Sequence, residues 1–234
     1  MRYLFLLCFA CLLWSFSPQT TEDSDVMIAF AGKAYAKDVT AVQKYLKKRV
    51  WHAVFCDDGK CTLEPTEVSI SPVEKTESGD VVMVSVSQER NPIFIVSSPT
   101  LEAQEIKHAA ILDQMLYPGV ARRMPNSEWL MAAGFGEPND ENGKICIKNY
   151  LVLLSPKVDK MDSNSKPLLS ISKECSGFYP YADWVGDLDG DDKLDFLMST
   201  DYGPVTGYFL LLSGSAKDGV FYDRAAQYIK TEGC

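Results

Sequence analysis

Histidine is almost missing from this chain: His52 and His108 are the only two in 234 residues. A Ser-His-Asp arrangement would have to use one of them, and neither stands in a recognisable catalytic setting. The sequence also lacks a Gly-x-Ser-x-Gly elbow, a His-Glu-x-x-His pair, a Walker loop and a dinucleotide fingerprint. A lone histidine with no nucleophile or second ligand beside it reads as structural. Positive charge is scarce as well. The net charge of −9 argues against a nucleic-acid partner, which calls for clustered Lys and Arg. Only Lys47-Lys48-Arg49 and Arg122-Arg123 form basic runs, and these read as solvated faces or element ends.

Apolar stretches long enough to cross a bilayer are absent too. Residues 4–16 form an apolar core behind Arg2 that is too short to span and reads as an export signal. The expected organisation is a signal peptide over residues 1–20, with its cleavage site open, and a polar tether over 21–33. A mixed α+β domain over 34–124 and a β domain over 125–234 follow. The mature chain is expected in the periplasm or medium, with no transmembrane segment and no lipid anchor at Cys11. A content of 46% hydrophobic and 24% charged residues is enough to bury one good core or two small ones.

Export places the cysteines in an oxidising compartment. Beyond the signal stand Cys56, Cys61, Cys146, Cys175 and Cys234, an odd number. Cys56 and Cys61 flank Asp57-Asp58-Gly59-Lys60, and Asp-Gly is a strong two-residue hairpin turn. Pairing Asp57 with Lys60 puts the two cysteines face to face, within disulfide reach. The rival reading, a zinc half-site, lacks a second half. Cys175 and Cys234 are expected to form a second bridge that fastens the carboxyl terminus, leaving Cys146 as a small hydrophobe in an apolar strand.

Along the chain, the spacing of Val39, Val42, Leu46 and Val50 predicts one amphipathic helix over residues 34–50. Alternating and apolar runs predict strands over 51–56, 61–68, 81–88 and 93–97, with a loop over 72–79. Over residues 101–116 the spacing of Ile106, Ala109, Ala110 and Met115 leans to a helix, a short strand at Ile106 being the alternative. Two further strands, 129–135 and 144–154, are expected around a loop at 137–143. The fold class is therefore mainly β with one or two helices and antiparallel sheets.

The most distinctive stretch is Asp187-Leu188-Asp189-Gly190-Asp191-Asp192-Lys193-Leu194-Asp195. Carboxylates at loop positions one, three, five and nine, with the Lys193 carbonyl at seven, can converge on one hard cation. Oxygen-only donors favour Ca2+ over zinc or copper. The plain alternative is a solvated acidic turn, since Asp and Gly suit any turn. An EF-hand is excluded, because its obligatory Gly and bidentate Glu would fall on Asp192 and Met198. The apolar flanks Trp184-Val185 and Phe196-Leu197-Met198 read as strands. A loop of this kind between two strands resembles the aspartate loop of FG-GAP and VCBS-type repeats, over about residues 182–213. The resemblance implies Asp187, Asp189, Asp191 and Asp195 as side-chain ligands and Lys193 as a carbonyl ligand. It departs at Asp192, where that family usually carries Gly.

These readings predict an exported calcium-binding module that is non-catalytic and binds a protein or glycan partner. An extracytoplasmic hydrolase with a structural calcium is the alternative.

Overall fold

The structure is a computed structural model; it describes residues 26–36, 39–76, 79–124, 130–141, 144–155, 165–174, 179–201, 205–215 and 223–231. Sixteen strands, one short α-helix and a single 3-10 turn at Ser213–Ser215 are the regular elements of these segments. The first half contains β1 (Met27–Ala29), β2 (Gly32–Ala36), α1 (Val39–Leu46), β3 (Trp51–Asp57), β4 (Lys60–Thr66), β5 (Val68–Thr76), β6 (Gly79–Val86), β7 (Phe94–Ser97), β8 (Gln104–Met115) and β9 (Val120–Arg123). The second contains β10 (Leu130–Glu141), β11 (Lys144–Ser155), β12 (Lys166–Glu174), β13 (Tyr181–Asp187), β14 (Asp195–Asp201), β15 (Val205–Leu212) and β16 (Asp223–Thr231). All pairings are antiparallel, so the mainly β expectation holds, with less helix than the sequence suggested.

Nine strands join in the order β1-β7-β3-β4-β8-β13-β14-β15-β16. Its two edge strands, β1 and β16, approach each other, so the sheet curls until it is nearly closed. Its concave side buries Val54, Leu63, Phe94, Val96, Ile106, Trp184, Leu197 and Leu210 in one core. A second sheet, β12-β11-β10-β9, covers part of the convex side. There Met131, Tyr150, Val152 and Leu154 meet Ala182, Val185, Phe196, Met198, Phe209 and Leu211. Strands β14 and β15 are thus buried on both faces, one residue to each core in alternation. This is why they read as unbroken apolar runs. A third sheet, β2-β6-β5, packs with α1 around Ile70 and Val82.

Several local expectations are corrected. Residues 101–116 are not helical: β8 crosses from β4 to β13 as one long strand. Its pairing with β13 shifts twice, and the left-handed residues His108 (φ 55°) and Asp113 (φ 43°) lie within those shifts. Each is a bulge, which adds one residue and bends the strand. The bulge at His108 puts Ile106 and Ala109 on the same concave core, three residues apart, and so imitates a helical period. The first helix is also shorter than predicted, because residues 32–36 pair with β6 instead. Val50, assigned to its packed stripe, is 69% exposed. The loop placed at 72–79 is largely strand: β5 runs through Pro72 at the edge of its sheet, where a missing donor is tolerated. Strand takes up 137–141 of the loop placed at 137–143, pairing as far as Glu141 opposite Lys144, and outside the described residues lie positions 142 and 143. Their sequence, Asn142-Gly143, is itself a strong hairpin signal that the richer Pro, Asn and Asp content around it hid.

In the first hairpin Cys56 and Cys61 are directly opposed and bridged, with Cα atoms 4.0 Å apart. Asp58 (φ 51°) and Gly59 (φ 78°) both take the positive φ of the tight turn. The expected Cys175–Cys234 bridge lies outside the described residues.

Candidate metal centre

Strands β13 and β14 position the aspartate loop, and two leucines pin it. Leu188, at its start, is fully buried in the concave core, and Leu194, at its end, in the convex one. Burying each stabilises the loop by about 1.5–3 kcal/mol relative to leaving it exposed. Gln104 of β8 donates a hydrogen bond from its amide Nε2 to the Leu188 carbonyl, 2.9 Å. The backbone between the leucines therefore has little freedom.

Within this frame Asp187, Asp189 and Asp195 each offer a carboxylate oxygen, all within 4.8 Å of one another. Asp187 and Asp195 are buried, 1% and 0% exposed. The Leu188 amide donates to Asp195 Oδ2 (2.7 Å) and the Ser213 amide to Asp195 Oδ1 (2.8 Å). The Asp192 amide donates to Asp187 Oδ2 at 3.1 Å. Asp187 Oδ1, by contrast, is buried with no hydrogen-bond partner. Leaving a buried polar oxygen in that state costs roughly 1–3 kcal/mol, a deficit that a cation at the cluster would satisfy.

Charge tells the same story. Burial, reinforced by the neighbouring Asp189, pushes the Asp195 carboxyl well above the usual carboxylate range despite its two amide donors. Burial and then the charge of Asp191 push Asp189 upward as well. Two adjacent carboxylates whose ionisation is disfavoured, one of them buried, are what a hard divalent cation relieves.

The structure does not bring all the predicted ligands into the cluster. Asp191 stands beside it, engaged otherwise: its Oδ2 accepts from Lys193 Nζ (2.7 Å) and Ser213 Oγ (2.8 Å), and its Oδ1 from the Lys193 amide (2.9 Å). Burial works against the Asp191 anion, yet these bonds hold its carboxyl below the usual range. Lys193 thus contributes its ammonium to the loop as an internal counter-charge. Asp192, at the position where the resembled repeats carry Gly, has the left-handed backbone that Gly would favour (φ 62°). Its exposed side chain meets Lys107 of β8.

Sequence reasoning missed Gln104, Lys107 and Ser213. All are remote from the loop in the chain and carry no motif; only the order β8-β13-β14-β15 brings them to it. His52, on β3, is separated from β13 by β4 and β8, and burial lowers its pKa from the ordinary histidine value. Among the described residues no helix is long and apolar enough to cross a membrane. Comparison with protein-family models, curated proteins and solved structures finds no match, so the reading of the site rests on its own geometry.

Proposed function

We propose that this chain is an exported, non-catalytic β module whose aspartate loop binds Ca2+ as a structural ion and whose surface engages a protein or glycan partner. The observation that carries the reading is the orphaned, buried Asp187 Oδ1 beside the carboxylates of Asp189 and Asp195. The donor set contains only oxygens, which suits calcium over softer metals. Asp187, Asp189 and Asp195 would hold the ion, and the bound charge would offset their mutual repulsion. The resemblance to FG-GAP and VCBS-type loops supports the same assignment, as does the signal-like amino terminus for export.

A structural role follows from where the loop sits. It closes the β13–β14 hairpin at the point where both cores meet, through Leu188 and Leu194, so ordering it reinforces both cores at once. Calcium titration followed by calorimetry on the full chain tests the reading: saturable binding with a raised melting temperature supports it. Identical melting curves in calcium and in chelator would return the loop to an acidic turn.

A further inference from the structure

The turn that follows β15, Ser213–Ser215, touches three of the four alternating aspartates. The Ser213 amide donates to Asp195, and its hydroxyl donates to Asp191. Gly214 meets the third, Asp189. A Cβ built on Gly214 would lie 2.6 Å from Asp189 Oδ2 and 3.7 Å from its Cγ. Gly214 has no left-handed φ to explain the residue. Its lack of a side chain serves space alone, and the space belongs to the Asp189 carboxylate.

We propose that the Ser213-Gly214 turn is the second half of the cation site, with Gly214 a positioning residue that lets the Asp189 carboxylate stand in the cluster while Ser213 fixes Asp195. This rests on the cation reading above. The site is then built from two hairpin ends, the β13–β14 loop and the end of β15, which explains why the nine-residue motif alone leaves its ligands short of support. Supports of this kind around a metal commonly change affinity by about 10–100-fold when removed.

The test uses the full chain with calcium chloride as titrant and europium as a luminescent substitute whose emission lifetime counts bound water. Gly214→Ala should bind calcium about 10–100-fold more weakly. Its bound europium should carry at least one more water, because Asp189 is pushed aside. A merely structural substitution would lower the melting temperature and leave the water count alone. In metal-free protein, any thermal destabilisation caused by Gly214→Ala should vanish in the Asp189→Ala background, where the opposing carboxylate is gone. If Gly214→Ala does not fold, the double variant should, and its failure to fold would overturn the assignment. Parent-like affinity and water count in a folded Gly214→Ala would overturn it equally. Absence of calcium binding by the parent chain would instead remove the cation reading itself, and this inference with it.

Discussion

Two hairpin ends of the same nine-stranded sheet are closed by opposite means. The β3–β4 end uses a two-residue turn, Asp58-Gly59, with the Cys56–Cys61 bridge one pair behind it. Arg90 lies across this hairpin, with its guanidinium 4.0 Å above the Phe55 ring and its nitrogens on Asp57 and Glu64. Arg90 apart, what shapes the turn is local: the positive φ of Asp58 and Gly59 and the bridge beside them. The β13–β14 end instead spans residues 188–194, with no covalent tie, and crowds carboxylates whose repulsion opposes closure. It borrows its order from Gln104 and Ser213 and from two buried leucines. A short turn with the right residues is locally self-sufficient, whereas a long charged loop needs tertiary donors and, on the reading above, a cation.

The largest way to break this contrast is to remove the anchor under the aspartate loop. Leu188→Ala should lower stability by about 2–5 kcal/mol, measured by denaturant unfolding, and should weaken the calcium response along with it. A cost under about 1 kcal/mol would mean that the loop is not held from below. Next comes the ion. At a hundredfold excess over its dissociation constant calcium should add about 2.7 kcal/mol, seen as a higher melting temperature, with magnesium far less effective because it holds its waters. Asp189→Ala should lose this shift, while the first hairpin, probed by alkylation of Cys56 and Cys61, should stay bridged in calcium and chelator alike.

Replacing both Cys56 and Cys61 with Ala should cost about 2 kcal/mol, as expected for a bridge closing a very short loop. The calcium shift should survive unchanged in that variant, because the two hairpin ends share no ligand. A lost shift would show that the two ends are coupled. The smallest effect is expected from Asp192→Gly. It exchanges an exposed pair with Lys107 for a residue at ease with φ 62°, two small terms of opposite sign. The melting temperature should move by no more than about 2 °C with the calcium response intact.

What the sequence determined is what is local or periodic. The Asp58-Gly59 turn forces Cys56 to face Cys61, since a two-residue connection permits one register. The apolar flanks Trp184-Val185 and Phe196-Leu197-Met198 announced strands, and the aspartate spacing marked the loop in which Asp187, Asp189 and Asp195 converge. What only the tertiary structure decided is what depends on which strands become neighbours. Ile106 and Ala109 share a face because a bulge at His108 inserts a residue, and periodicity alone reads that spacing as a helix. Asp191 stands at the side of the carboxylate cluster, held by Ser213, eighteen residues beyond Asp195 at the end of β15, and by Lys193. Gly214 reads as an ordinary turn glycine until the sheet sets it against Asp189, where the space for a single methyl group separates a carboxylate in place from one displaced.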